Sequence, residues 1–171
     1  MRPILRKLSL FTAVIIMLSL FGCSRPGNLD IKTYKNSKPG VMLADLYSRT
    51  VGTPTEMPYF EVVMYTLSDT HVKLEKYTDG GADEEKVTTY HVPIEAAQKV
   101  FDVIRETGMD KWNGRDDNVG INGKLYVCKF PSDNGEYIRV SSESMPENGT
   151  EAFNKVSSAM LEYATDENIV E

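Results

Sequence analysis

The chain has 171 residues, 41% hydrophobic and 26% charged, the composition of one ordinary folded domain and not of a disordered or membrane-embedded chain. Its 19 Lys and Arg against 25 Asp and Glu give a net charge of −6, and three of the basic residues (Arg2, Arg6 and Lys7) lie at the extreme N-terminus. Taking those three from 19 leaves 16 basic against 25 acidic side chains in residues 23–171, a charge of −9 that argues against nucleic acid, whose phosphates need clustered Lys and Arg.

The first element in chain order is a leader. Residues 1–7 (MRPILRK) are positively charged, and Leu8 to Gly22 follow without a charge. These 15 residues would make a helix about 22 Å long, short of the roughly 20 residues a bilayer core requires. The length suits the apolar region of a signal peptide; a single-pass anchor flanked by Arg25 is the alternative. The run ends in Leu20-Phe21-Gly22-Cys23, which resembles the lipobox of bacterial lipoprotein precursors. Leu20, Gly22 and Cys23 match that pattern, and Phe21 departs from it at its most tolerant position. The resemblance implies removal of residues 1–22, acylation of Cys23 and attachment to the extracytoplasmic face of a cell membrane. Acyl chains on one residue give stable anchoring, since each buried CH₂ contributes about 0.8 kcal/mol. The resemblance does not extend to the rest of the chain.

Residues 24–40 are polar and interrupted by Pro26, Gly27, Pro39 and Gly40, which predicts a flexible tether of about 20–25 Å between Cys23 and a single domain over 41–171. Residues 41–51 are ambiguous: Met42, Leu43, Leu46 and Tyr47 would share a helical face, yet the end from Tyr47 to Val51 reads as extended. Strands are predicted over Tyr59–Leu67, His71–Tyr77 and Glu85–Val92, with the turn Asp79-Gly80-Gly81 between the last two. A helix follows Pro93, its stripe formed by Ile94, Ala97, Phe101 and Ile104, and ends near Gly108. Lys124–Phe130 and Glu136–Ser141 form a hairpin around Asn134-Gly135, and a last helix carries Phe153, Val156, Met160 and Tyr163 on one face. The expected fold is α+β: an antiparallel sheet of about five strands with two helices on one face, in the order β-β-β-α-β-β-α.

Signals of chemistry are few. No Gly-x-Ser-x-Gly, Ser-x-x-Lys, Walker-type or Gly-x-Gly-x-x-Gly motif occurs, and the two histidines, His71 and His91, fall on predicted strands. Pairing His91 with Cys128 would give a nucleophile and base, but nothing nearby in the sequence activates the thiol. Two histidines and one unacylated cysteine are too few for zinc. Asp116-Asp117-Asn118 supplies clustered oxygens without the spacing of a calcium loop, so a solvated loop is the plainer assignment. No cofactor is expected.

Aromatic side chains remain. Tyr65, Tyr77 and Tyr126 on predicted strands and Trp112 after the first helix are the candidate binding surface, because each joins apolar area to a hydrogen-bonding tip. The expectation is a non-catalytic, lipid-anchored envelope protein that binds a protein, peptide or glycan. An inhibitor or accessory subunit of an envelope enzyme is the first alternative, and a small enzyme the second.

Overall fold

A computed structural model of the chain describes residues 29–51, 60–79, 85–112, 123–132, 136–141 and 148–170. The strands are β1 (Met42–Val51), β2 (Phe60–Thr66), β3 (His71–Asp79), β4 (Glu85–Pro93), β5 (Gly123–Pro131), β6 (Tyr137–Ser141) and β7 (Ile169–Val170). The helices are α1 (Glu95–Glu106), between β4 and β5, and α2 (Gly149–Leu161), between β6 and β7. The strands form one seven-stranded sheet in the order β6-β5-β1-β2-β3-β4-β7, each neighbour antiparallel.

The α+β class matches expectation, but the sheet has seven strands where about five were predicted. One of the additional strands, β1, lies inside the sheet between β5 and β2. Its ambiguity in sequence has a structural cause: the β1–β2 register shifts between Met42 and Ala44, the signature of a bulge. Leu43 and Leu46 can therefore both enter the core under the helices, although an unbroken strand would turn residues three apart to opposite faces. Three is a helical spacing, which is why the segment imitates a helix. The other additional strand, β7, has two residues and pairs Ile169 with Tyr90 and Val170 with Thr89. A strand that short carries no periodic signal.

Helix α1 buries Ala97, Val100, Phe101 and Ile104, and α2 buries Phe153, Val156 and Met160, against one face of the sheet. That face presents Leu46, Val62, Met64, Val72, Leu74, Val92, Cys128, Phe130 and Val140. Gly108 ends α1 with φ 72°, a left-handed conformation that an L side chain resists by about 1–2 kcal/mol. Trp112, two turns beyond the buried Ile104, packs partly buried against the same core. Among the described residues no helix is long and apolar enough to cross a membrane.

Part of the segment predicted as tether packs on the domain. Leu29 is 2% exposed and Ile31 6%, and both belong to the core cluster. The Leu29 carbonyl accepts from Arg105 Nη1 at 3.0 Å, the Ile31 N–H donates to Gln98 Oε1 at 3.0 Å, and the Tyr34 ring lies 6.0 Å from Phe101. Residues 29–34 thus form a third strip of the helical layer, packed on α1. Their composition is polar, but two apolar residues two apart are enough to fix a 3-10 turn that Asp30 caps by accepting from the Lys32 N–H.

Candidate functional site

Strand alternation sends the other half of the side chains to the face away from the helices, and pairing arranges them in rows. Tyr47, Glu61 and Tyr77 stand abreast on β1, β2 and β3, with Val127 of β5 beside Tyr47. The next row holds Asp45, Val63 and Glu75, continued by Lys129 on β5 and Arg139 on β6. The third holds Tyr65, Lys73 and His91. Val63, Leu125 and Val127 are buried here without joining the helix-side core. Buried side chains thus lie on both faces of β1, β2 and β5, while Tyr47, Glu61, Tyr65, Tyr77, Lys73 and Glu75 are half-buried and His91 is exposed.

Two charged clusters cross this face. Lys73 Nζ donates to Glu75 Oε1 at 2.7 Å and sits 4.9 Å from the centre of the Tyr65 ring. The Tyr77 hydroxyl donates to the other Glu75 oxygen at 2.8 Å. Burial alone would raise the Glu75 carboxyl; the hydrogen bonds from Lys73 and Tyr77 outweigh it and hold the group below its ordinary range. Tyr77 is pushed up, by burial first and then by its bond to Glu75. Tyr65 is pushed up by burial and by the negative charges of Glu75, Asp45 and Glu61. Both phenols thus remain neutral hydrogen-bonding groups at physiological pH.

The second cluster centres on β1. Lys129 Nζ donates to Asp45 Oδ2 at 2.7 Å and lies 5.7 Å from the Tyr47 ring centre, and Arg139 Nη2 donates to the Tyr47 hydroxyl at 3.3 Å. Burial would lower Lys129, but the bond to Asp45 prevails and raises it. Asp45 is 4% exposed and its Oδ1 has no hydrogen-bond partner. Buried acceptors left unpaired are rare enough in folded proteins to mark this carboxylate as a point of stored cost.

The four aromatic residues singled out in the sequence do not form one surface. Tyr65 and Tyr77 share the face just described. Tyr126 is on the helix side, its ring 4.7 Å from that of Phe153, and Trp112 is packed against the core below α1. Both are thus removed from the candidate surface by the parity of their strand or by packing. Missed in the sequence were Tyr47 and Asp45, because assigning them to a face requires knowing that 42–51 is a strand, and Lys129, which lies on a predicted strand but whose partner Asp45 only the β1–β5 pairing supplies. The alternation Tyr65–Lys73 and Glu75–Tyr77 was legible, but not that the two clusters lie side by side.

Other candidate chemistry separates. His91 is exposed on β4, whereas Cys128 is fully buried on the opposite face of β5, four strands away or about 19 Å. Burial, with the negative charge of Asp45, pushes the Cys128 thiol upward, away from the reactive thiolate. Among the described residues no three His, Cys, Asp or Glu side chains gather as a metal site would require. Cys23 and the loop with Asp116 and Asp117 lie outside the described residues. Compared with protein-family models, with curated proteins and with solved structures, the chain matches none.

Proposed function

We propose that this is a lipid-anchored extracytoplasmic envelope protein whose sheet face binds another macromolecule without catalysing a reaction. The observation that carries the binding reading is the grouping of Tyr47, Tyr65 and Tyr77 with two ion-paired clusters on the sheet face opposite α1 and α2, on which no helix packs among the described residues. Tyrosines held by neighbouring ion pairs lose little side-chain freedom on binding and offer both apolar area and hydroxyl groups, the traits of interface anchors. The alternating charges beside them favour a polar partner, protein or glycan, over a lipid tail.

The anchoring reading is supported by the leader and its Leu20-Phe21-Gly22-Cys23 end. The test uses the full chain in its native host. Affinity capture after mild cross-linking should retain a partner with the wild type and lose it with Tyr65→Ala/Tyr77→Ala, while His71→Ala, at the strand end, retains it. Equal recovery from the double variant sinks the sheet-face reading. Labelled palmitate should enter the wild type and not Cys23→Ser; equal labelling of both refutes the lipid site.

A further inference from the structure

A cleft of about 400 Å³ lies between the turn at residues 30–35 and the start of α1, on the helical side of the sheet. That volume falls within the roughly 300–1,000 Å³ of small-molecule sites. Its floor is Ile31 and Ile94, 6% and 3% exposed, both part of the core. Backbone bonds fix the two walls. The Asp30, Ile31 and Tyr34 carbonyls accept from the N–H groups of Thr33, Tyr34 and Ser37 at 2.9–3.0 Å, each three residues on. Side chains three apart eclipse in such turns, so Lys32 and Lys35 stand together on one wall. On the other wall, the Ile94 N–H donates to the Thr70 carbonyl at 3.0 Å and ties the approach to α1 to the β2–β3 connection.

The polar groups of the cleft divide into committed and free. Asp30 Oδ1 accepts from the Lys32 N–H at 3.0 Å. Gln98 Oε1 accepts from the Ile31 N–H at 3.0 Å, and its Nε2 donates to Asp102 Oδ1 at 2.9 Å. Arg105 donates to the Leu29 carbonyl and pairs with Asp102. These groups hold the walls together. The Lys32 and Lys35 ammonium groups and the Glu95 carboxylate have no hydrogen-bond or ion-pair partner among the described residues. Two free cations and one free anion over an apolar floor call for a ligand that carries both signs on a small apolar frame. A carboxylate offers two oxygens, one for each lysine, and an ammonium answers Glu95. A polyanion would meet Glu95 unpaired, and a polycation would meet both lysines.

We infer that this cleft is a second binding site, separate from the tyrosine face, for a small aliphatic α-amino acid in its zwitterionic form. The ligand carboxylate rests on Lys32 and Lys35, its ammonium on Glu95 and its side chain on Ile31 and Ile94. The site depends neither on lipid at Cys23 nor on the sheet-face reading. Hydrogen bonds to charged groups are the strong ones, so a ligand lacking either charge loses affinity by about ten- to hundredfold. Lys32, Lys35 and Glu95 are exposed, so binding also weakens as salt is added.

The test is equilibrium dialysis of the full chain against labelled L-leucine, with L-leucinamide, N-acetyl-L-leucine and glycine as competitors. Saturable binding with a Kd of about 1 mM or tighter is expected. The competitors lack the carboxylate, the ammonium and the side chain in turn, and each should compete at least about tenfold more weakly than unlabelled leucine. Lys32→Gln/Lys35→Gln and Glu95→Gln should each weaken leucine binding by about tenfold or more, with the urea midpoint unmoved because the three side chains are exposed. Tyr65→Ala/Tyr77→Ala should leave leucine binding unchanged. No saturable binding up to about 10 mM leucine overturns the proposal. So does equal competition by leucinamide or N-acetyl-leucine, and so does unchanged affinity in either charge variant. Loss of leucine binding in Tyr65→Ala/Tyr77→Ala overturns the cleft as well, since it moves the ligand to the sheet face.

Discussion

Breaking the Asp45–Lys129 pair is the sharpest test of how the second face is built. Lys129 is the only hydrogen-bond partner of the Asp45 carboxylate among the described residues, at 2.7 Å, and the Asp45 side chain is 6% exposed. Lys129→Met removes the cation and leaves that carboxylate with neither oxygen partnered. Orphaning one member of a buried pair costs about 3–5 kcal/mol. Because 34% of the Lys129 side chain is exposed, water can partly re-enter, and the expected cost falls to about 2–3 kcal/mol. Asp45→Leu/Lys129→Met replaces both charges by apolar groups in a patch already lined by Val63 and Val127, and should come within about 1 kcal/mol of the wild type. Urea unfolding followed by Trp112 fluorescence measures both. With a slope near 2 kcal/mol/M, Lys129→Met should lower the midpoint by about 1–1.5 M, and the double variant should recover most of it. A single variant within about 0.25 M of wild type, or a double variant as unstable as the two single changes summed, would refute the reasoning.

Three further outcomes follow from other parts of the molecule. Leu29→Ala should cost about 2–3 kcal/mol, as for a buried leucine, in the same urea assay; a tether residue would give less than about 0.5 kcal/mol, and that result would remove residue 29 from the domain. Glu75 is held below its ordinary value of 4.5, so its contribution to stability is present above that pH and is lost as pH falls through the folded value. Tyr77 is raised above 10.0, so its contribution is present below pH 10 and is lost as pH rises beyond it. Thermal melts across pH should show both limbs, with Glu75→Gln flattening the acid limb and Tyr77→Phe the alkaline one; unaltered limbs would show that these bonds do not set the profile. Finally, the native Cys128 thiol should resist a disulfide reagent until the domain unfolds, so its labelling rate should track urea concentration; fast labelling in buffer would contradict its burial.

Much of the fold was legible because its elements carry regular periods. The stripe Ile94–Ala97–Phe101–Ile104 needs only helical spacing to announce itself, and the alternation in His71–Tyr77 needs only strand spacing. The proposed leader rests on signals of a different kind: charge, length and the residues before Cys23, none of which depends on folding. These features let the sequence alone determine the α+β class, two amphipathic helices and five of the strands.

Tertiary structure decided the rest. Strand β1 is buried on both faces and bulged at Leu43, so neither periodicity survives in its sequence, and with it Tyr47 and Asp45 had no assigned face. Residues 29–34 look like linker because two buried side chains, Leu29 and Ile31, make no pattern until α1 supplies the surface they cover. Tyr126 and Tyr77 are both strand tyrosines, and strand parity relative to the helical layer sends one into the core and the other to the opposite face. A side chain's type and spacing are local and can be read along the chain. Which face is covered is a property of what packs against it, and only the assembled layers fix that.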